Sequence, residues 1–372
     1  MFRAVQRVWT EAANLYESRS STQKKQLGEA YEGKKLLIGN NSIKVASLVA
    51  EGGFSFIYKA TSETSSQPFA LKRTLCLDKE SLDMAMTEVQ VLEQLPPHPN
   101  IVRYYGSVVH PLGKESQGKE VLILLEWCDG SSLAHLLFSS DGRVANSWWS
   151  ESRIAEVFRD ACSAVAHLHE QLPPIIHRDI KLENIIQSNS DNCFKLCDFG
   201  SCCFDYTEIT SRKERLEQEY ILQKQSTFMY RAPEMIDLYG NKKLTEKVDI
   251  WALGCILYVL CYRKHPFETG SAVQILNGKV DIPTVPSYSS EWRQLILDML
   301  QVDPDKRPTA SNVVRILESL QSRNSTTLFS NPENPCTEEE EEEDWAHFDE
   351  EPSLIQFESP VSSKEKHILD CL

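Results

Sequence analysis

Four short stretches hold the residues best suited to handling a charged group. Lys72 ends the run Phe69-Ala70-Leu71-Lys72. Asp179, Lys181 and Asn184 fall within His177-Arg178-Asp179-Ile180-Lys181-Leu182-Glu183-Asn184. Asp198 opens Asp198-Phe199-Gly200, and Glu234 closes Ala232-Pro233-Glu234. Lysines neutralise anionic oxygens, and a positioned carboxylate can take a proton from a hydroxyl. A carboxylate with an amide supplies the few hard oxygens that Mg²⁺ accepts from a protein. One such stretch would be weak evidence, but the ordered set from Phe69 to Glu234 leaves chance a negligible share.

These residues must be held by two kinds of structure. From about Ile43 to Leu75 the chain alternates in short β-rich runs separated by Gly, Ser and Thr, an antiparallel meander. Between Ser81 and Gln94, Leu82, Ala85, Met86, Val89 and Leu92 recur at helical spacing until Pro96-Pro97 stops the pattern. Two more strand-like runs follow, IVRYYGSVV and EVLILLEW. Beyond Gly130 helical periods dominate, over Ser152–Gln171, Lys247–Tyr262, Glu291–Gln301 and Ala310–Gln321. The expected fold class is α+β and bilobal. A small β-sheet lobe with one helix (43–127) precedes a larger, mainly helical lobe (128–320), with a cleft between them. Residues 1–42 read as an N-terminal segment: an amphipathic helix over 2–16, then a Ser/Gln/Lys-rich linker.

Composition narrows the partners. The 372 residues carry a formal charge of −15, and 41% of them are hydrophobic, enough to bury a large core. Between Gln321 and Leu372 stand 14 acidic and 3 basic residues, including the run EEEEEED, so the acidity belongs to a tail over 321–372 that is expected to be disordered. A net negative protein repels a phosphate backbone, and nucleic acid is not an expected partner. The 11 cysteines fall at irregular spacings with no apolar leader before them, which points to a reducing, cytoplasmic compartment. No apolar run reaches the roughly 18 residues of a membrane span. Cys193, Cys197, Cys202 and Cys203 lack the paired C-x-x-C framework of a zinc site.

Taken in order, the four stretches resemble the protein-kinase signature set, from about Ile43 to Leu320. The resemblance implies ATP and Mg²⁺ as cofactors and Ser or Thr hydroxyls of proteins as substrates. It makes Lys72 the ligand of the α- and β-phosphates. Its partner is then a carboxylate on the following helix, Glu88 in preference to Glu80 or Glu93. Asp179 is implied as the residue that takes or orients the hydroxyl proton, Lys181 as the γ-phosphate neutraliser, and Asn184 and Asp198 as metal ligands. The nucleotide would also contact Val49, Ala50, Gly52, Gly53, Ile57 and Ala70, with Glu126 to Cys128 as the adenine hinge and Leu125 as gatekeeper. Arg178 is a candidate partner for a phosphorylated activation segment, with Ser226 and Thr227 as candidate sites and Thr227 the more structural of the two. Glu234 and Arg307 resemble a buried anchoring pair. Cys197 is a candidate reactive thiol beside the nucleotide.

The phosphate loop departs from the kinase pattern. It reads Ala50-Glu51-Gly52-Gly53-Phe54-Ser55-Phe56-Ile57, with Ala50 and Ser55 where glycines are usual. This loop, His98-Pro99-Asn100, Lys195 to Ser201, Met229 to Tyr239 and Asp249 to Cys255 are similar to those of the Numb-associated kinase family. That resemblance implies an endocytic role acting on clathrin-adaptor medium chains, association with coated vesicles, and an extra activation-segment helix after Ala232-Pro233-Glu234. The helix formers between Ser201 and Gln225 also suggest a helix. In the tail, Trp345 and Phe348 stand three apart among acids and resemble W-x-x-F peptides that bind adaptor appendages, and Glu350–Ile355 fits an acidic dileucine form. The rival reading is a pseudokinase scaffold that binds endocytic adaptors through this tail.

Overall fold

The computed structural model describes residues 31–52, 54–112, 118–138, 148–204, 206, 208–240, 243–268 and 271–327. The expected helix over 2–16, Gly53, and the tail motifs at Trp345, Phe348 and Glu350–Ile355 lie outside the described residues.

Six antiparallel strands form the first lobe: β1 (Lys35–Ile38), β2 (Asn41–Glu51), β3 (Ser55–Ser62), β4 (Pro68–Cys76), β5 (Tyr104–Pro111) and β6 (Lys119–Glu126), in spatial order β1-β2-β3-β4-β6-β5. Alternate side chains of a strand point to opposite faces, so each strand serves two layers. Phe56, Tyr58, Phe69, Leu71, Leu122 and Leu124 pack into one core. The opposite face carries Ile57, Ala70, Lys72, Ile123 and Leu125, with Lys72 paired to Ile57 on one side and Ile123 on the other. Helix α1 (Lys79–Gln94) covers part of that second face with Ala85, Val89 and Leu92. Asp78 starts it with a capping box, accepting from Ser81 N while Ser81 Oγ accepts from Asp78 N.

The second lobe contains α2 (Leu133–Leu137), α3 (Glu151–His169), the hairpin β7 (Ile185–Ser188) and β8 (Cys193–Leu196), α4 (Arg212–Gln225), α5 (Pro233–Ile236), α6 (Lys247–Tyr262), α7 (Ala272–Asn277), α8 (Ser290–Met299) and α9 (Ala310–Thr327). The run that looked too short for a membrane is α6. Its residues from Val248 to Tyr262 are all buried, which is why it is apolar on every side. Among the described residues no helix is long and apolar enough to cross a membrane. Together the sheet lobe and the helical lobe give the bilobal arrangement expected of the sequence.

Two expectations need correction. The folded region starts before Ile43: β1 pairs Lys35 to Ile38 with Lys44 to Asn41, and Tyr31 is buried against the outer sheet face. Tyr31 Oη donates to Glu120 Oε1 at 2.5 Å, and the Arg73 guanidinium lies 4.3 Å from its ring centre. A segment with linker composition is therefore tied down by one aromatic and a short hairpin. The helix suggested between Ser201 and Gln225 forms as α4, capped by Ser211 and Glu214; the second correction is to the helix implied after Ala232-Pro233-Glu234, since the described residues from Asp237 to Glu246 form none.

Candidate active site

The cleft face of the sheet brings one lysine to two acids. Lys72 is centred on β4, and Glu88 projects from the same side of α1 as its apolar stripe and is 2% exposed. Lys72 Nζ donates to both Glu88 oxygens and to Asp198 Oδ1, each at 2.8 Å. Burial by itself would lower the Lys72 pKa, but Asp198 and Glu88 outweigh it and hold the ammonium above its ordinary range. The same ammonium holds Asp198 down at about 2, so both groups stay charged. The rivals for the Lys72 pairing are engaged elsewhere: Glu80 accepts from Tyr220 Oη at 3.1 Å and Glu93 from Tyr104 Oη at 2.7 Å.

Asp179 lies on the loop that follows α3. Its Oδ1 accepts from Thr227 N at 2.8 Å and Thr227 Oγ1 at 2.7 Å, and its Oδ2 from Lys181 Nζ at 2.7 Å. Lys181 also reaches Thr227 Oγ1 at 3.1 Å. Asn184 donates through Nδ2 to Asp179 O at 2.9 Å, which fixes the amide; among the described residues its Oδ1 meets no donor. Asp198 Oδ2 likewise meets none among the described residues, on a side chain 44% exposed. An amide oxygen and an ionised carboxylate oxygen are the donor chemistry that Mg²⁺ takes alongside phosphates, so the two residues fit such an ion.

Two of the five described non-glycine residues with positive φ lie at this site. Arg178 and Asp198 both adopt φ of 65°, a left-handed conformation that non-glycine residues seldom hold unless their surroundings impose it. Asp249, at the start of α6 and 1% exposed, imposes it at Arg178: its oxygens accept from the backbone N–H of His177 and of Arg178, each at 2.8 Å. His169 Nε2 lies 2.9 Å from the same carboxylate. Asp249 thus positions the loop bearing Asp179. Nothing in its local sequence assigned that task; the only signal is one acid opening an otherwise apolar run. Asp198 is anchored by its neighbour Phe199, fully buried with its ring 5.4 Å from that of His177.

The nucleotide-side residues share the cleft. Ala50 pairs with Ile57, Ile57 with Lys72, and Ala70 with Leu125, so Ala50, Ile57, Ala70 and Lys72 fall in adjoining cross-strand rows beside the gatekeeper position. Val49 is 52% exposed at the end of β2. Gly52 closes the hairpin by donating from N to Ser55 O at 2.8 Å, and a Cβ there would meet Ser55 Oγ at 3.0 Å. At the hinge, the Cys128 backbone N–H and C=O enter no hydrogen bond among the described residues, which suits an adenine edge. The Glu126 side chain turns instead to Lys195 Nζ, 2.7 Å away, and Arg103 N, 3.1 Å away.

Among the described residues Arg178 forms no ion pair with the activation segment, although Glu217 of α4 lines the same space. It donates to Ser201 O at 2.6 Å and to Gln225 Oε1, at the end of α4, at 2.8 Å. Glu234 and Arg307 form the expected bidentate pair at 2.6 and 2.8 Å, both side chains fully buried. The reactive-thiol expectation at Cys197 needs correction. Its Sγ donates to Asn184 O at 3.3 Å, and burial, with Asp198 adjacent, raises its pKa far above the ordinary thiol value. That suppresses the nucleophilic thiolate.

Comparison with known proteins agrees with this geometry. The model of the protein kinase domain matches residues 43–316. Two probable serine/threonine-protein kinases of Dictyostelium discoideum are 35% and 34% identical over 80% and 83% of this chain, covering 26% and 37% of their own lengths. Actin-regulating kinase 1 of Saccharomyces cerevisiae is 33% identical over 80% of this chain and 47% of its own. The chain therefore spans between about a quarter and a half of the curated relatives it matches. A matched domain covering most of the chain and a joined set of lysine, carboxylate and amide groups in one cleft place the chain in the protein kinase family.

Proposed function

We propose that the protein transfers the γ-phosphoryl group of ATP to Ser or Thr hydroxyls of other proteins. The observation that carries this reading is the joining of Lys72 to Glu88 and Asp198 at 2.8 Å, with Asp179 and Lys181 both reaching Thr227 on the other side of the cleft. Lys72 is placed to hold the nonreacting phosphates. Asp179 orients the incoming hydroxyl and takes its proton as oxygen bonds to phosphorus, while the bond to ADP breaks in line. Lys181 offsets charge on the moving group. Mg²⁺ held by Asn184 and Asp198 would neutralise phosphate oxygens, as in related kinases. Substitution of two loop glycines by Ala50 and Ser55 leaves the hairpin closed through Gly52, and this favours an enzyme over a pseudokinase scaffold. The test is γ-phosphate transfer to a generic protein substrate, with Asp179→Asn as control; equal turnover in the control would overturn the assignment.

Within that activity we infer a kinase of the Numb-associated type, cytoplasmic and recruited to clathrin-coated structures. The support is the Ala50–Ile57 loop, the runs around Asp198, Glu234 and Asp249, and the acidic W-x-x-F at Trp345 and Phe348. An adaptor medium chain is the substrate to assay first. Capture of adaptor appendages by the intact chain, compared with Trp345→Ala and Phe348→Ala, tests recruitment. Equal capture would discard the tail motif and leave the kinase reading standing.

A further inference from the structure

Buried and half-buried arginines of this protein differ in what they meet. Arg307 and Arg73 are buried against carboxylates, Glu234 and Glu120. Among the described residues, Arg215 on α4 and Arg231, three residues before Glu234, form no ion pair with a carboxylate, though Asp179 acts on Arg231 at longer range. Arg231 donates from Nε to Ser226 Oγ at 2.9 Å and from Nη2 to Leu222 O and Ser226 O at 2.8 and 2.9 Å. Arg215 donates from Nε to Leu238 O at 3.1 Å and lies 4.3 Å from the Tyr239 ring centre. Every one of these acceptors is neutral. Among the described residues the Arg231 Nη1 and both Arg215 Nη groups find no hydrogen-bond acceptor, and burial pulls the Arg231 guanidinium below its ordinary pKa.

Both side chains line one cavity of about 200 Å³, walled by Leu222, Phe228, Met235 and Tyr239. Glu219 also lines it, but is exposed to solvent, and among the described residues it forms no ion pair with either arginine. The cavity borders the acceptor site, because Phe228 directly follows Thr227, whose hydroxyl donates to Asp179. On the other side of α4 the character reverses: the space around Arg178 is lined by Glu80, Asp83 and Glu217. Partly buried guanidinium groups with unused donors and apolar walls favour a carboxylate or phosphate, which gains charge-assisted hydrogen bonds there.

We propose that this cavity selects substrates carrying an acidic side chain within a few residues of the phosphorylated hydroxyl, with Arg215 and Arg231 as the specificity-determining residues. The inference rests on the kinase reading above and goes beyond it by naming a substrate feature. The test uses the full chain and a neutral acceptor peptide in which a single Asp is placed in turn at each position from five before to five after the hydroxyl, against Asn at the same position. One position should raise kcat/KM about tenfold over Asn, through KM. Phosphoserine at that position separates a phosphate-reading site from a carboxylate-reading one. Arg215→Gln should bring the Asp-to-Asn ratio within about twofold, and Arg215→Lys should restore part of it. Ratios within twofold at every position, or a preference unchanged in Arg215→Gln, would overturn the proposal. Peptide affinity for the Asp179→Asn chain, read by fluorescence anisotropy, gives the same ratio without turnover, so failure of the kinase reading and failure of this one are distinguishable.

Discussion

Two clusters of charge lie in this molecule under opposite conditions. Glu234 and Arg307 are sealed, both at 0% side-chain exposure, and Arg307 uses its remaining donors on the carbonyls of Lys247, Gln301 and Val302. Lys72, Glu88 and Asp198 are equally close, yet Asp198 is 44% exposed and keeps one oxygen unspent. The sealed pair is complete, so it can only hold a segment in place. The open cluster is incomplete on the side that faces the cleft, and a ligand can complete it. Proximity of opposite charges therefore does not mark a functional site; unspent valence on an accessible edge does.

Breaking the acceptor side of the cleft that holds this open cluster should cost activity and little stability. Asp179→Asn should lower phosphoryl transfer about a thousandfold, with the melting midpoint moving no more than about 3 °C. A large midpoint shift with proportionate activity loss would reduce the site to a structural role. Breaking the sealed pair should do the reverse. Glu234→Gln strands a buried guanidinium, a loss of about 3–5 kcal/mol, read as a midpoint roughly 10 °C lower for a domain of this size. If that variant melts normally, the distinction between sealed and open charge fails.

Much of the open cluster was legible because kinase chemistry fixes residue type at short local spacings: Lys72, Asp179, Lys181, Asn184 and Asp198 all sit within recognisable runs. Glu88 was implied by the kinase resemblance, and the stripe of Ala85, Val89 and Leu92 turns its face of α1 inward. What stayed hidden depends on contacts between distant residues. Asp249 meets His177 and Arg178 across 72 and 71 positions. Gln225 meets Arg178 across 47, and neither its amide nor its neighbours announce the pairing. The packing of residues before Ile43 stayed hidden because Ser, Gln and Lys give the segment before Lys35 a linker's composition, while a single Tyr31 does the anchoring. Tyr31→Ala tests that contact. Losing the ring and its bond to Glu120 should destabilise by roughly 2–3 kcal/mol, and an unchanged denaturant midpoint would return residues 31–42 to the linker.

A third kind of polar burial sharpens the comparison, because it has neither a counter-ion nor an open edge. His265 accepts at Nδ1 from Phe267 N at 3.2 Å, packs edge-on to Tyr230 at 5.1 Å, and leaves Nε2 buried without a partner. Burial pulls its pKa from 6.5 to about 4. The unfolded chain then binds this proton below 6.5 while the folded chain refuses it until about 4, so His265 makes stability fall as pH drops through that window and has no effect above it. Asp198, held at about 2 by Lys72, acts in the same direction but lower: its stabilisation is present above the ordinary carboxylate pKa of roughly 4 and is lost as pH falls toward 2. The windows scarcely overlap. Denaturation midpoints between pH 7 and 4.5 should therefore show a smaller slope in His265→Leu than in the parent chain, whereas Asp198→Asn should leave that slope in place. An identical slope in His265→Leu would mean the imidazole is already solvated in the folded protein.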